Sequence, residues 1–195
     1  ELQDGAFGLS YLMLGDTLRS LSSNGTASRS LAGHSPLALA RRFGSKDPLE
    51  RALALACINA LTDSVWRRIG YELPPAGNSL GDVVLSATDH LGMIGFFPPL
   101  VRQVQAQGAR LTVVELDAAM VRRQQARFPD VTITLERTQL ADCTVVVGTS
   151  TMLLNDTLEA MLAAAPLAQD FAVIGPSAGL WPDALFARGV TLMGG

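Results

Sequence analysis

Four short segments hold residues whose types and spacing could do chemistry. The first is Gly92-Met93-Ile94-Gly95-Phe96-Phe97-Pro98-Pro99, an apolar strand that runs into a glycine and then a helix start. A glycine there lets a ligand approach the backbone, and the helix N-terminus favours an anion. The dinucleotide fingerprint GxGxxG is only half present: Gly92 and Gly95 stand, but Phe96 and Phe97 occupy positions that need small residues. The second is Glu115, at the end of LTVVE and 20 residues after Gly95. An acid at about that distance accepts ribose hydroxyls in dinucleotide folds; the plainer reading pairs it with Arg122 or water. The third is Gly148-Thr149-Ser150-Thr151, followed by Asn155-Asp156-Thr157. Asp156 and Glu159 have capping-box spacing, so Asp156 reads as a helix cap, but three consecutive hydroxyl residues exceed what a cap needs. The fourth is Gly175-Pro176-Ser177-Ala178-Gly179, either a donor-bearing ligand loop or a tight turn.

Other catalytic chemistries find little material. The two histidines, His34 and His90, have no Cys or His neighbour at metal-ligand spacing, and a lone His more often makes a surface or hydrogen-bonded contact. Cys57 and Cys143 sit in apolar segments and read as buried free thiols. No Ser-His-Asp triad can be assembled around Ser177. Fourteen of the fifteen basic residues are Arg, and the one lysine, Lys46, precedes a helix in the N-terminal part. Schiff-base and P-loop chemistry both need a lysine in the site.

These segments need elements to position them. From residue 91 onward apolar strands (91–96, 111–115, 131–135, 144–148, 171–175, 190–193) alternate with helical stretches (98–107, 118–127, 156–165, 182–187). That alternation implies βαβ units and a parallel sheet, with the strand C-termini gathered on one edge where ligands bind. Before it, residues 5–14 read as a strand and 15–34 as loop with a short strand. Ser35-Pro36 opens a short helix closed by Phe43-Gly44. A longer helix follows, with Asp47 as cap, Pro48 at its first position and Glu50 at capping-box spacing. Residues 67–81, with two Pro and three Gly, read as a linker. The expected class is α/β: a small α+β domain over 1–75, then a Rossmann-like, mainly parallel sheet domain over 76–195.

Bulk composition narrows the partners. A net charge of −3 argues against nucleic acid, which needs a basic face. No apolar run reaches the roughly 18 residues of a membrane span, and no signal peptide is evident. With two cysteines, the composition fits a reducing, cytoplasmic setting. The chain starts at Glu1 rather than Met, which raises the expectation of a fragment.

At the strand-end loops the sequence resembles a known family. GMIGFFPPLV, VVELD, ADCTVVVGTSTMLLNDTLE and VIGPSAGLWPDALFARGVTLMGG look like the Rossmann-like domain of the putative heavy-metal chelation family. The preceding LAGHSPLALARRFGSKDPLERALALACINAL resembles its companion domain, which has an enolase N-terminal-like fold. The resemblance implies that Gly95, Phe96, Glu115, Thr149, Thr151, Asn155 and Ser177 occupy pocket positions. Ser150 and Asp156 stand where a threonine and a glycine are common, and more helix is implied after Gly195. It further implies binding of a metal or metal complex, with a link to cofactor biosynthesis.

Taken together, the expectation is a small anionic or metal-chelating ligand held in an inter-domain crevice. Gly92, Gly95, Phe96, Glu115, Thr149, Ser150, Thr151, Asn155, Gly175 and Ser177 are the expected contacts, and Asn59 is the polar member of a wall made by helix 48–65. The cofactor is expected to be a metal ion or a metal chelate, and a homodimer is a further expectation. Scattered thiols and imidazoles do not make a soft-metal site, so a chelated metal fits better than a naked soft ion. The competing expectation is an enzyme, a nucleotide- or S-adenosylmethionine-dependent transferase or oxidoreductase, which would place adenosine on Glu115.

Overall fold

A computed structural model describes residues 1–12, 31–74 and 85–194. Its helices are α1 (Pro36–Ala40), α2 (Pro48–Ile69), α3 (Pro98–Gln107), α4 (Ala118–Arg127), α5 (Leu158–Ala164) and α6 (Asp183–Phe186). Its strands are β1 (His90–Ile94), β2 (Arg110–Val114), β3 (Thr132–Thr134), β4 (Val145–Thr149), β5 (Asp170–Ile174) and β6 (Leu192–Gly194). All six strands join one sheet in the order β3-β2-β1-β4-β5-β6. Every pairing is parallel. The order reverses between β1 and β4, where Ile94 pairs with Gly148. That reversal makes the switch point at which two strand-end loops diverge and leave a crevice.

The strands are short and apolar because both sheet faces are covered. Leu91, Met93, Leu111, Val113, Val145 and Val147 point to one face, where Leu100, Val101 and Val104 of α3 pack on them. Ile94, Val114, Val146, Phe171 and Val173 point to the other. There they meet Leu158 and Met161 of α5 together with Ala52 and Leu55 of α2. One core cluster therefore crosses the boundary expected near residue 75.

Local signals account for the helix ends. Asp47 caps α2 by accepting from Leu49 N–H at 2.9 Å, Pro48 opens it, and Gly70 closes it in the left-handed conformation (φ 67°). The expected capping box does not form, because Glu50 accepts instead from Ser45 Oγ at 2.9 Å and pairs with Arg42. Helix α2 also takes in Arg67–Ile69 of the expected linker. Asp117 caps α4 through Ala119 N–H at 2.7 Å.

One N-terminal expectation needs correction. Within residues 1–12 no strand forms. The segment is held to α2 and the β5 loop by side chains: Phe7 N–H donates to Asp63, and Leu9 C=O accepts from Asn59. Gly8 lies so close to α2 that a Cβ would fall 2.2 Å from Ala56 O. The rest of the expected 15–34 loop, up to residue 30, lies outside the described residues, as does 75–84 of the linker region. No helix of the described residues is long and apolar enough to cross a membrane.

Candidate functional site

The C-terminal ends of β1, β2, β4 and β5 open into a cleft of about 530 Å³. Parallel strands bring these ends together although the segments lie up to 80 residues apart in sequence, from Gly95 to Gly175. Of the expected contacts, Gly95, Phe96, Glu115, Thr149, Ser150, Thr151, Asn155 and Gly175 all line it.

Each loop takes its shape from local bonds. Gly95 follows β1 in the left-handed region (φ 83°), and a Cβ there would sit 3.1 Å from Thr149 Cγ2. After β4, Thr149 Oγ1 accepts from Thr151 N–H at 3.3 Å and from Thr151 Oγ1 at 3.1 Å. These bonds fold the hydroxyl run into a single 3-10 turn over Ser150–Leu153. Asn155 Oδ1 accepts from Thr157 Oγ1 at 2.7 Å. Gly175 is held by Gly194 C=O at 2.7 Å and packs so close to Ser150 that a Cβ would sit 2.7 Å from Ser150 Oγ.

Glu115 is half-buried, and desolvation pushes its carboxyl above the usual range; nearby Asp117 adds to the rise, while N–H groups of Leu116 and Phe96 oppose it. It forms no ion pair with Arg122 or with any other described residue. The carboxylate is thus held in the cleft with no cation beside it among the described residues.

Three expected contacts lie off the cleft. Gly92 is internal to β1, where a Cβ would meet Leu140 Cδ2 at 2.7 Å; its smallness serves packing between the strand and the 3-10 turn over Arg137–Leu140. Ser177 is fully buried and acts as a clasp. Its Oγ accepts from Tyr11 N–H at 2.7 Å, and its own N–H donates to Ser150 Oγ at 3.3 Å. Asn59, 3% exposed, donates to Leu9 C=O at 2.6 Å and Ser177 C=O at 3.2 Å, so α2 supplies no described wall of the cleft. Asp156 also departs from expectation. It does not cap α5, whose N-cap is Thr157. It adopts a left-handed backbone (φ 56°) and makes a bidentate pair with Arg51 of α2. A glycine common at this position in the resembled family would suit that backbone without strain.

Sequence reasoning missed other lining residues: Tyr11, Asp117, Met152, Met161 and Thr157. Asp117 carried a signal, being an acid two residues past the strand-end Glu115. Tyr11 carried none, because its place depends on a bond to Ser177 across 166 residues.

The donor chemistry of the cleft decides what it can hold. No Arg, Lys or His is among the described lining residues. The α3 N-terminus, expected to attract an anion, begins Pro98-Pro99, and proline has no N–H to offer. The N–H groups of Gly95 and Gly175 are already taken by Val114 C=O at 2.9 Å and Gly194 C=O. A bare soft metal ion fits no better: among the described residues no three His, Cys, Asp or Glu gather. Cys143 is buried, and desolvation pushes its thiol up to about 11, far from a ligating thiolate.

Two family models match the sequence, both described as "Putative heavy-metal chelation", over residues 80–195 and 1–62. Among solved structures, a protein of unknown function from the DUF364 family of Pyrococcus horikoshii is similar at 22% identity and a TM-score of 0.66. The match covers 86% of this chain and 65% of that one. A DUF364-family protein of unknown function from Desulfitobacterium hafniense is similar at 22% identity and a TM-score of 0.61, covering 80% and 60%. The chain thus spans less than two thirds of the length of either structure. At this identity the likeness shows the shared Rossmann-like fold. No curated protein matches the sequence.

Proposed function

Because the chain belongs to the putative heavy-metal chelation family, we propose that its strand-end cleft binds a small metal complex, a metal already wrapped by its own organic chelator, as a step in metal or metal-cofactor handling. The observation that carries this reading is the mismatch between the cleft's size and its ligand set. About 530 Å³ is ample for a compact complex. The polar lining is oxygen-rich, from Glu115, Thr149, Thr151 and Asn155, and the described residues gather no cluster to strip a metal of its own ligands. Hydroxyls and a carboxylate suit contacts to the outer face of a chelate.

The nucleotide-dependent enzyme reading has less support. A dinucleotide phosphate needs free backbone N–H groups at the first turn after β1. Here that turn carries Phe96-Phe97-Pro98-Pro99, and Gly95 N–H is already engaged.

Calorimetry and thermal melts distinguish the cases. Co²⁺, Ni²⁺ and Zn²⁺ are presented as free ions and as ethylenediamine and citrate complexes, with NAD⁺ and S-adenosylmethionine alongside. The expected result is stabilisation by one or more complexes beyond that of the same ions alone. Stabilisation by a nucleotide only, or by nothing in the set, would overturn the proposal.

A further inference from the structure

We infer that the cleft selects a positively charged complex whose outer atoms are N–H or O–H donors, with Glu115 as the specificity-determining acceptor. This deepens the proposed function and rests on it, because it names the charge and surface chemistry of the ligand at the same site.

Three independent features of the cleft carry the inference. The first is formal charge: the charged side chains among the described lining residues are Glu115 and Asp117, both acids, with no cation to balance them. Asp117 spends one oxygen on the α4 cap, whereas Glu115 makes no side-chain hydrogen bond or ion pair with another described side chain. The second is the fate of the backbone donors. At the ends of β1, β4 and β5 the N–H groups of Gly95, Thr151, Gly175 and Ser177 are consumed by Val114 C=O, Thr149 Oγ1, Gly194 C=O and Ser150 Oγ. An oxyanion needs such groups free and convergent. The third is the wall. Phe96, Phe97 and Tyr11 line the cleft, and aromatic faces attract cations through their quadrupole. Phe96 is steadied by Phe128, with ring centroids 5.3 Å apart.

An anionic chelate would have to leave water, meet two carboxylates and find few donors in return. A cationic complex with donor groups gains a charge-assisted bond to Glu115 and contact with the rings.

Two inert octahedral complexes of the same metal separate charge from size. Hexaamminecobalt(III) is cationic and presents N–H donors; hexacyanocobaltate(III) is anionic and presents only acceptors. Calorimetry on the intact chain should show the hexaammine bound and the hexacyano complex not bound. Glu115→Gln keeps shape and removes charge, and it should weaken the hexaammine by about tenfold or more, the loss expected for one charged hydrogen bond. Leu116→Lys places a cation at the exposed rim (Leu116 is 60% exposed) without touching the core. It should lower hexaammine affinity and raise that for the hexacyano complex. Tighter binding of the hexacyano complex to the parent chain, or Glu115→Gln binding the hexaammine like the parent, overturns this inference and leaves the proposed function standing. Binding of neither complex, with none of the ethylenediamine or citrate complexes bound, overturns both.

Discussion

The two ends of the sheet carry similar residue types and put them to opposite use. At the N-terminal edge, His90 Nδ1 accepts from Arg110 at 2.6 Å and its Nε2–H faces Thr112 Oγ1 at 2.8 Å. Beside it Thr144 Oγ1 donates to Asp89 at 3.0 Å and accepts from His90 N–H at 3.2 Å. Each polar group finds a partner within the chain. At the C-terminal edge Glu115 is met by the backbone N–H groups of Leu116 and Phe96 but by no described side chain, while the N–H groups of Gly95 and Gly175 are already spent. A buried polar network that satisfies itself fixes the fold; one left open in a cleft is available to a ligand. Partner accounting, and not polarity, separates the two ends.

The largest expected effect falls on the closed end. His90→Ala removes a buried ring and strands Arg110 and Thr112, so urea denaturation should show a loss of about 2–4 kcal/mol, as for other buried-network deletions. A loss within the scatter of surface variants would show that the N-terminal edge is not the structural end.

The rim between α2 and the hydroxyl loop should be next. Asp156→Ala loses the Arg51 pair and keeps a side chain in a left-handed backbone, and should cost about 1–2 kcal/mol. Asp156→Gly loses the same pair but relieves the backbone, so it should melt above Asp156→Ala. The reverse order would mean that the pair and not the backbone governs this loop.

The two ends should also answer pH with opposite signs. Burial, then the Arg110 charge, hold His90 below its ordinary 6.5. The unfolded chain therefore takes up a proton first, and His90's contribution is lost as pH falls through 6.5 toward the depressed native value. Glu115 has its native value raised above 4.5, so the folded chain takes up the proton first. Its contribution rises as pH falls through the raised value toward 4.5. Stability against pH for His90→Asn should be flatter below 6.5, and for Glu115→Gln steeper just above 4.5. Identical profiles for both variants would erase the distinction.

The smallest effect is at the open end itself. Glu115→Gln should change stability at neutral pH by less than about 0.5 kcal/mol, because no ion pair with a described residue is lost. A loss as large as that of His90→Ala would make Glu115 part of the fold's own network.

Much of this was legible in the sequence because it is local. The helix over 118–127 and the parallel sheet both follow from short apolar strands alternating with helical stretches. Strand ends carrying Gly95, Glu115, Thr149 and Gly175 could be placed on one edge from topology alone. The strand expected over 5–14 does not form within residues 5–12, because the backbone there is partnered by side chains on α2 and the β5 loop.

What the sequence determined by itself is the set of elements and the edge to which their loops go, since periodicity, caps and crossover rules act over a few residues or a single βαβ unit. What only the tertiary structure decided is which groups remain free on that edge. Ser177 and Asn59 have the residue types of ligand contacts, but the Ser177 hydroxyl and the Asn59 amide N–H groups are spent on tying residues 9–11 to α2 and the β5 loop. Glu115 has the type of a salt-bridge partner, but among the described residues no cation pairs with it. Whether a donor or acceptor is spent depends on groups more than a hundred residues away, and that balance is settled only when the chain has closed on itself.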